Sequence, residues 1–134
     1  RASAKVRYGL DRVEQHLAEA ETKSSQPFLL SHHHDHDDLH HSITEPDIRL
    51  LPTILRFDSV YGPLFKAGGA GLSIRADYPH LQRWLRRCWN TGAIPQTIDL
   101  RQATESYYKQ LFPLNPSGIV PTPSVTAQSM GLED

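Results

Sequence analysis

The spacing of apolar residues constrains the fold of this 134-residue chain more than any other feature. From Ala2 to about Glu21, and again over 81–89, apolar side chains recur every three or four positions, which lines one face of a helix. The two stripes are Val6, Leu10, Val13, Leu17 and Ala20, and then Leu81, Trp84, Leu85, Cys88 and Trp89. No segment alternates apolar and polar residues for long enough to indicate a sheet. The sequence therefore predicts an all-α bundle of about four or five helices.

Two more helices are predicted from their first turns. Thr44 is followed three residues later by Asp47, the pairing of a capping box, and Pro46 suits a first turn because its missing N–H costs nothing there. Asp99 and Gln102 repeat the pattern farther along the chain. The apolar face predicted for this last helix consists of Leu100, Ala103, Tyr107 and Leu111. With the two stripes, these helices account for most of the chain before residue 113.

Composition divides the chain into a helical part and a tail. Residues 1–112 are interpreted as one helical domain with an inserted loop rich in histidine and aspartate at 31–42, and residues 113–134 as an extended, proline-rich tail. Phe28–Leu30 is an apolar anchor expected to pack back onto the core. The end beyond Pro123 is expected to be loose, as chain termini often are.

The charge balance argues against some partners. The chain carries 14 basic and 15 acidic residues, for a formal net charge of −1, which disfavours nucleic acid and an anionic membrane surface. No apolar run approaches the ~18 residues that span a bilayer, so a soluble protein is expected. The lone Cys88 cannot form an internal disulfide, which fits a reducing compartment such as the cytosol or an organelle stroma or matrix.

The loop at 31–42 offers nitrogen and oxygen ligands for zinc, nickel or copper, because six histidines stand beside three aspartates within ten positions. The histidines are His32, His33, His34, His36, His40 and His41. Adventitious metal binding is expected in solution. A specific site also needs fixed geometry and supporting hydrogen bonds, so a solvated loop is favoured over a functional metal site.

Three other features have a structural and a functional interpretation. Cys88 lies on an apolar stripe, which favours a packed core thiol over a nucleophile. The glycine-rich stretch Ala67–Gly71 lacks the lysine-serine ending of a phosphate loop and is interpreted as a linker. Arg83, Arg86 and Arg87 form either a basic patch for an acidic partner or a solvated helix face.

Short motifs between residues 44 and 121 occur in an order typical of one family. They are Asp47-Ile48-Arg49-Leu50, Arg56-Phe57-Asp58, Val60-Tyr61, Phe65-Lys66, Asp77-Tyr78-Pro79, Thr97, Tyr107-Tyr108 and Asn115-Pro116-Ser117-Gly118-Ile119-Val120-Pro121. Together they resemble the C-terminal domain of the glutathionyl-hydroquinone reductases, the Xi-class, omega-like glutathione transferases. The resemblance implies a glutathione S-transferase C-terminal-like helical bundle. Arg49 and Asp58 are expected to hold helix ends rather than to touch a substrate.

The resemblance also implies how such a domain works. In the family it forms the hydrophobic substrate wall and the dimer contacts, opposite a thioredoxin-like N-terminal domain that holds glutathione and a catalytic cysteine. This chain is expected to contain no catalytic residue and no cofactor of its own, with glutathione bound only if that other domain is present. By position, Tyr107 matches a family tyrosine whose hydroxyl faces the aromatic substrate. The alternative is that Tyr107 only fills an apolar helix face.

Two functions follow from this resemblance. In the first, the chain is part of a glutathionyl-hydroquinone reductase and is inactive without the thioredoxin-like domain. In the second, it is a non-catalytic accessory or structural subunit docked on a larger assembly. Either way, a protein partner is expected to cover the face that the thioredoxin-like domain occupies in the family. A homodimer is an additional expectation.

Overall fold

The computed structural model describes residues 2–24, 28–30, 43–110, 112–121 and 125–133. Within these ranges the chain forms seven α-helices, a π-helical turn at Phe57–Tyr61 and no strand, which confirms the predicted all-α class. The helices are α1 (Ala2–Ser24), α2 (Glu45–Leu55), α3 (Gly62–Phe65), α4 (Ile74–Asp77), α5 (Pro79–Trp89), α6 (Ile94–Thr97) and α7 (Leu100–Gln110). The four long helices are the predicted ones. The other three are single turns, too short for periodicity to reveal.

Helix α5 forms the centre of the bundle and contacts α1, α2, α4 and α6. All five residues of its predicted apolar stripe are buried, and Leu81, Trp84 and Cys88 are fully enclosed. A fully buried side chain of this kind contributes about 1.5–3 kcal/mol through the removal of apolar surface from water. The stripe therefore organises the core around one helix.

A buried carboxylate joins three segments of the chain. Asp47 accepts hydrogen bonds from the backbone N–H groups of Leu29 (3.0 Å) and Thr44 (2.8 Å), from the Thr44 hydroxyl, and from Nε1 of Trp84 (2.7 Å). Thr44 and Asp47 thus form the predicted capping box of α2. Because Leu29 is tied to the same carboxylate, Phe28 packs in the core, as predicted for the apolar anchor.

Acidic side chains of α1 hold the start of α5. The carboxylate of Glu14 accepts hydrogen bonds from the backbone N–H groups of His80 (2.9 Å) and Leu81 (2.7 Å). These groups lie in the first turn of α5 and have no acceptor within their own helix. The Tyr78 hydroxyl donates to Asp11 at 2.9 Å. Burial, and then this carboxylate, raise the pKa of Tyr78 to about 12. Charge on α1 therefore fixes where α5 begins.

Asp58 and Arg49 have different structural roles. Asp58 accepts the N–H groups of Ile74 (2.6 Å) and Arg75 (3.0 Å), so it caps α4 from a distant part of the chain. This confirms its predicted role at a helix end. Arg49 instead pairs with Glu45 one turn earlier in α2, at 2.7 Å on the exposed surface. Because α2 begins at Glu45, this pair gives Arg49 a structural role near a helix end, although it does not join two helices.

The prediction of a loose end beyond Pro123 was also wrong. Leu132 is fully buried in the core cluster. The backbone carbonyls of Met130 and Leu132 accept hydrogen bonds from the side-chain amides of Gln82 (2.9 Å) and Asn90 (3.2 Å) on and after α5. Ala127 and Met130 pack against the same core cluster, and so short a group of apolar residues leaves no helical period in the sequence. The predicted domain boundary at residue 113 remains a prediction.

A candidate aromatic site beside the π-helical turn

The π-helical turn at Phe57–Tyr61 shapes the candidate site. The N–H of Tyr61 donates to the carbonyl of Arg56 five residues earlier (3.1 Å), and the N–H of Gly62 donates to the carbonyl of Phe57. Such a turn holds one more residue than an α-helical turn and is frequent at functional sites. It brings the ring of Tyr61 against α7.

Three aromatic rings meet between this turn, α3 and α7. The ring of Tyr107 lies nearly perpendicular to those of Tyr61 (84°, centroids 5.8 Å apart) and Phe65 (89°, 6.4 Å). The Tyr61 and Phe65 rings are 6.1 Å apart. Edge-to-face packing of this kind is the favoured geometry for aromatic rings. Because Phe65 is 42% exposed, the cluster opens to solvent.

The hydroxyls of Tyr61 and Tyr107 lie 3.3 Å apart and share a hydrogen bond. Burial raises the pKa of Tyr61 above its ordinary value, and the bond to Tyr107 raises it further, while the Arg56 guanidinium acts in the opposite direction. Tyr61 is therefore a neutral phenol at pH 7. As a neutral phenol, Tyr61 can both donate and accept hydrogen bonds.

The buried face of α7 differs from the predicted one. Thr104 and Tyr108 are its buried residues, and the Tyr108 hydroxyl donates to the carbonyl of Ser59 at 3.2 Å. Ala103 and Tyr107 are only partly buried. Since neighbouring helix positions differ by about 100°, the inward face is turned by one residue. Leu111, the last residue of the predicted face, lies outside the described residues.

Cys88 is a core residue. It is fully buried, and burial, followed by the negative charge of Asp47, raises its pKa to about 12. A reactive cysteine needs a lowered pKa and access to solvent. The packed-thiol interpretation is confirmed.

Two of the three arginines on α5 belong to an ion cluster with α1. Glu21 pairs with Arg83 (2.9 Å) and Arg87 (2.7 Å), and its other contact is the His80 ring (2.8 Å). The hydrogen bond from Arg83 is the largest of the effects that lower the pKa of Glu21 to about 2. Arg86 lies on the exposed surface. Arg83 and Arg87 therefore join two helices, which a solvated face or a free basic patch would not do.

The histidines proposed as metal ligands all lie outside the described residues. Within the described ranges, no group of three or more histidine, cysteine, aspartate or glutamate side chains is placed to hold a metal ion. The same ranges contain no helix that is both long and apolar enough to cross a membrane.

Sequence reasoning missed Tyr61 and Phe65 as members of the site. Both lie within motifs that resemble the family, but the resemblance predicts a substrate role only for Tyr107. The π-helical turn breaks the 3.6-residue period, so a helical pattern drawn through Phe57 does not place Tyr61 correctly. The available signal was the pair of motifs Val60-Tyr61 and Phe65-Lys66.

Comparison with known proteins identifies the family. The family model described as "Glutathione S-transferase, C-terminal domain" matches residues 1–87, more than half of the chain. The chain therefore belongs to the glutathione S-transferase C-terminal domain family, and the helical bundle is the fold of that domain.

Three individual relatives make the comparison more specific than the family model does. The chain is 40% identical over 114 residues to glutathione S-transferase omega-like 2 of Schizosaccharomyces pombe, a match that covers 84% of this chain and 32% of that protein. It is 41% identical over 93 residues to the glutathionyl-hydroquinone reductase PcpF of Sphingobium chlorophenolicum, covering 65% of this chain and 29% of that one. A third relative, YqjG of Escherichia coli, is also named a glutathionyl-hydroquinone reductase and is 35% identical over 78 residues, 58% of this chain and 23% of its own length. The chain thus spans about a third or less of the relatives it matches.

Proposed function

We propose that the chain forms the aromatic substrate wall of a glutathionyl-hydroquinone reductase, with the Tyr107 hydroxyl as a hydrogen-bond donor to a quinol oxygen. The observation that carries the proposal is the cluster of Tyr61, Phe65 and Tyr107, which combines aromatic surface open to solvent with two hydroxyls that share a hydrogen bond. A flat phenolic ligand matches both properties, because its ring packs on aromatic edges and its oxygen accepts a hydrogen bond. Two of the relatives carry this activity in their names.

The proposal includes a second domain. Release of a hydroquinone from its glutathione thioether needs a thiolate of lowered pKa to attack sulfur. Cys88 cannot take that role, because it is buried and its pKa is about 12. We therefore assign the nucleophile and the glutathione site to a thioredoxin-like domain, and the reaction to a reducing compartment. The chain on its own is expected to be inactive.

The test compares two neighbouring tyrosines. An intact-mass measurement on the native protein shows whether a thioredoxin-like domain accompanies these residues. In that native protein, Tyr107→Phe is expected to lower kcat/KM for a glutathionyl-hydroquinone by about 10-fold to 100-fold, because a hydrogen bond to a charged oxygen contributes about 1.5–3 kcal/mol. Tyr108→Phe is the matched control, since its hydroxyl bonds to Ser59 and not to the site. Equal activity of wild type and Tyr107→Phe would refute the proposal.

A second candidate function rests on a different observation. Three large apolar side chains after α7, those of Phe112, Leu114 and Ile119, are each more than half exposed. Such exposure suits an accessory subunit whose apolar surface is covered by a protein partner or by a second copy of the chain. Light scattering coupled to size exclusion on the native protein distinguishes a different protein partner from a second copy of the chain, because a homodimer has twice the chain mass. Glutathione-dependent turnover by the 134-residue chain alone would refute both functions.

A further inference from the structure

A groove beside α5 holds the 125–133 segment through side chains that donate to backbone carbonyls. The α5 groove consists of Arg75 on α4, Gln82 and Trp89 on α5, and Asn90 directly after α5. Four successive carbonyls accept its hydrogen bonds, in the pairs Ser129 with Arg75 (2.5 Å), Met130 and Gly131 with Gln82 (2.9 and 3.3 Å), and Leu132 with Asn90 (3.2 Å). In peptide recognition, main-chain hydrogen bonds of this kind give affinity, and pockets for side chains give specificity.

The segment itself folds as a turn that is bonded internally. Its backbone N–H groups donate to its own carbonyls, in the pairs Met130 to Thr126 (3.1 Å), Gly131 to Gln128 (2.9 Å) and Leu132 to Ala127 (2.9 Å). These local bonds do not depend on the rest of the chain. The contacts with the α5 groove therefore do not require a covalent link between the segment and the helices.

Three adjacent residues give the contact a sequence preference. Gly131 has a φ of 68°, and a Cβ atom there would lie 3.2 Å from Nε2 of Gln82, so glycine is favoured. Leu132 is fully buried in the core cluster. The carboxylate of Glu133 accepts a hydrogen bond from Nε1 of Trp89 at 2.9 Å. The pattern that fits the groove is thus a glycine, an apolar residue and a carboxylate in succession.

Release of the segment is a local event. The segment is held by side-chain hydrogen bonds and by one fully buried residue, Leu132, whereas α5 alone buries five residues. Segments with few buried contacts open at a fraction of the free energy of global unfolding. An open groove exposes an apolar pocket and leaves the buried indole N–H of Trp89 without its acceptor. A ligand with the same pattern restores both contacts.

We propose that the α5 groove is a peptide-docking site, which the chain's own 125–133 segment occupies, and that its external ligand is a protein segment with glycine, a leucine-like residue and a carboxylate in succession. The chain's own segment is then an internal competitor of that partner. A second copy of the chain is a poorer occupant, because the exchange of identical segments gains no contacts and restricts two separate molecules. This inference is independent of the aromatic site and of the proposed function.

The test weakens the internal competitor and offers the segment as a separate peptide. The probe is a fluorescein-labelled peptide of residues 125–133, and its binding to the 134-residue chain is followed by fluorescence anisotropy. Leu132→Ala in the chain is expected to allow binding with a Kd below about 1 mM. The wild type is expected to bind at least about tenfold more weakly, because its groove is open in only a small fraction of molecules.

Variants of the groove and of the peptide test how the ligand is recognised. Addition of Gln82→Ala to the Leu132→Ala chain should weaken binding about tenfold, through the loss of two contacts with carbonyls. Gln96→Ala, at an exposed glutamine on α6, is the matched control and should leave binding unchanged. In the peptide, Leu132→Ala should weaken binding at least about 30-fold and Gly131→Ala about fivefold.

Gly131→Ala in the chain is a second way to open the groove. It strains the backbone of the segment without removing an apolar side chain from the core. If circular dichroism shows that neither this variant nor Leu132→Ala keeps the wild-type helix content, the segment is part of the fold and the proposal is refuted. The same conclusion follows if neither variant binds the peptide, or if the altered peptides bind as tightly as the native one.

Light scattering of the wild type tests the other possible occupant. A monomer at all concentrations, or a dimer that excess peptide leaves intact, supports an external partner. A dimer that excess peptide converts to monomers would assign the groove to a second copy of the chain and overturn the choice of partner.

Discussion

The core around Asp47 and the aromatic site around Tyr107 use polar groups in opposite ways. Asp47 is fully buried and accepts four hydrogen bonds, from the 28–30 segment, α2 and α5. Within the described residues, the Tyr107 hydroxyl shares one hydrogen bond with Tyr61, and the Tyr107 ring packs against the exposed ring of Phe65. A buried polar group with all its hydrogen bonds made favours one structure, because the loss of any of these bonds leaves a buried partner without a hydrogen bond. A partly buried hydroxyl with one partner retains capacity for a further hydrogen bond.

The largest expected effect on stability is in the core around Asp47. Asp47→Ala removes the acceptor of four hydrogen bonds and leaves the indole N–H of Trp84 buried without a partner. We expect a loss of about 3–5 kcal/mol in the free energy of unfolding, measured by urea denaturation.

Asp99→Ala is the matched control for that change. Asp99 caps α7 through the N–H of Gln102 (2.8 Å), but it is exposed. Its loss is expected to cost about 1 kcal/mol. Equal losses for the two aspartates would contradict the assignment of Asp47 as the central polar group of the core.

The C-terminal segment provides the next largest effect. Leu132→Ala creates a cavity in the core and is expected to destabilise the chain by about 2–4 kcal/mol. Leu114→Ala removes the same atoms from a side chain that is 57% exposed and should change stability by less than about 0.5 kcal/mol. Thermal unfolding followed by circular dichroism measures both. A small effect at Leu132 would show that the segment contributes little to folding.

The ion cluster of Glu21 predicts a pH dependence. Its pKa lies at about 2 in the folded chain and near 4.5 otherwise, so its contribution is complete above pH 4.5 and is lost as the pH falls toward 2. The side chain is 21% exposed, so solvent screening limits this contribution to about 1–2 kcal/mol. Glu21→Gln should therefore flatten the fall in stability over that range, as measured by denaturation at several pH values. Glu19→Gln, in an exposed pair with Lys23, should change that fall much less, because solvent screens an exposed pair.

The two adjacent tyrosines give the smallest effect on stability and the sharpest comparison. Tyr108→Phe loses the bond to the Ser59 carbonyl and is expected to cost about 1 kcal/mol. Tyr107→Phe should cost less than about 0.5 kcal/mol, because its partner Tyr61 is only partly buried and can turn to water. Denaturation of the two variants in parallel is the measurement. The reverse order would mean that Tyr107 is the structural tyrosine and Tyr108 is not.

Local patterns allowed the framework of this chain to be predicted. The stripe on α5 and the capping pairs at Thr44 and Asp99 depend only on residues within one or two helical turns. The tyrosines show where such reasoning ends. Tyr107 and Tyr108 are equally aromatic and adjacent, and the position of the π-helical turn against α7 decides which one faces inward.

The sequence by itself determined the all-α class, the long helices and, through its motifs, the family. Only the tertiary structure decided that Leu29 and Trp84 both donate to the Asp47 carboxylate. The same holds for the burial of Leu132 in the core. It also holds for the packing of Tyr61, Phe65 and Tyr107 into one cluster. The physical reason is distance along the chain. Helix periodicity and capping arise from neighbours within a few positions, whereas each of these contacts joins residues that the chain brings together only when the helices pack.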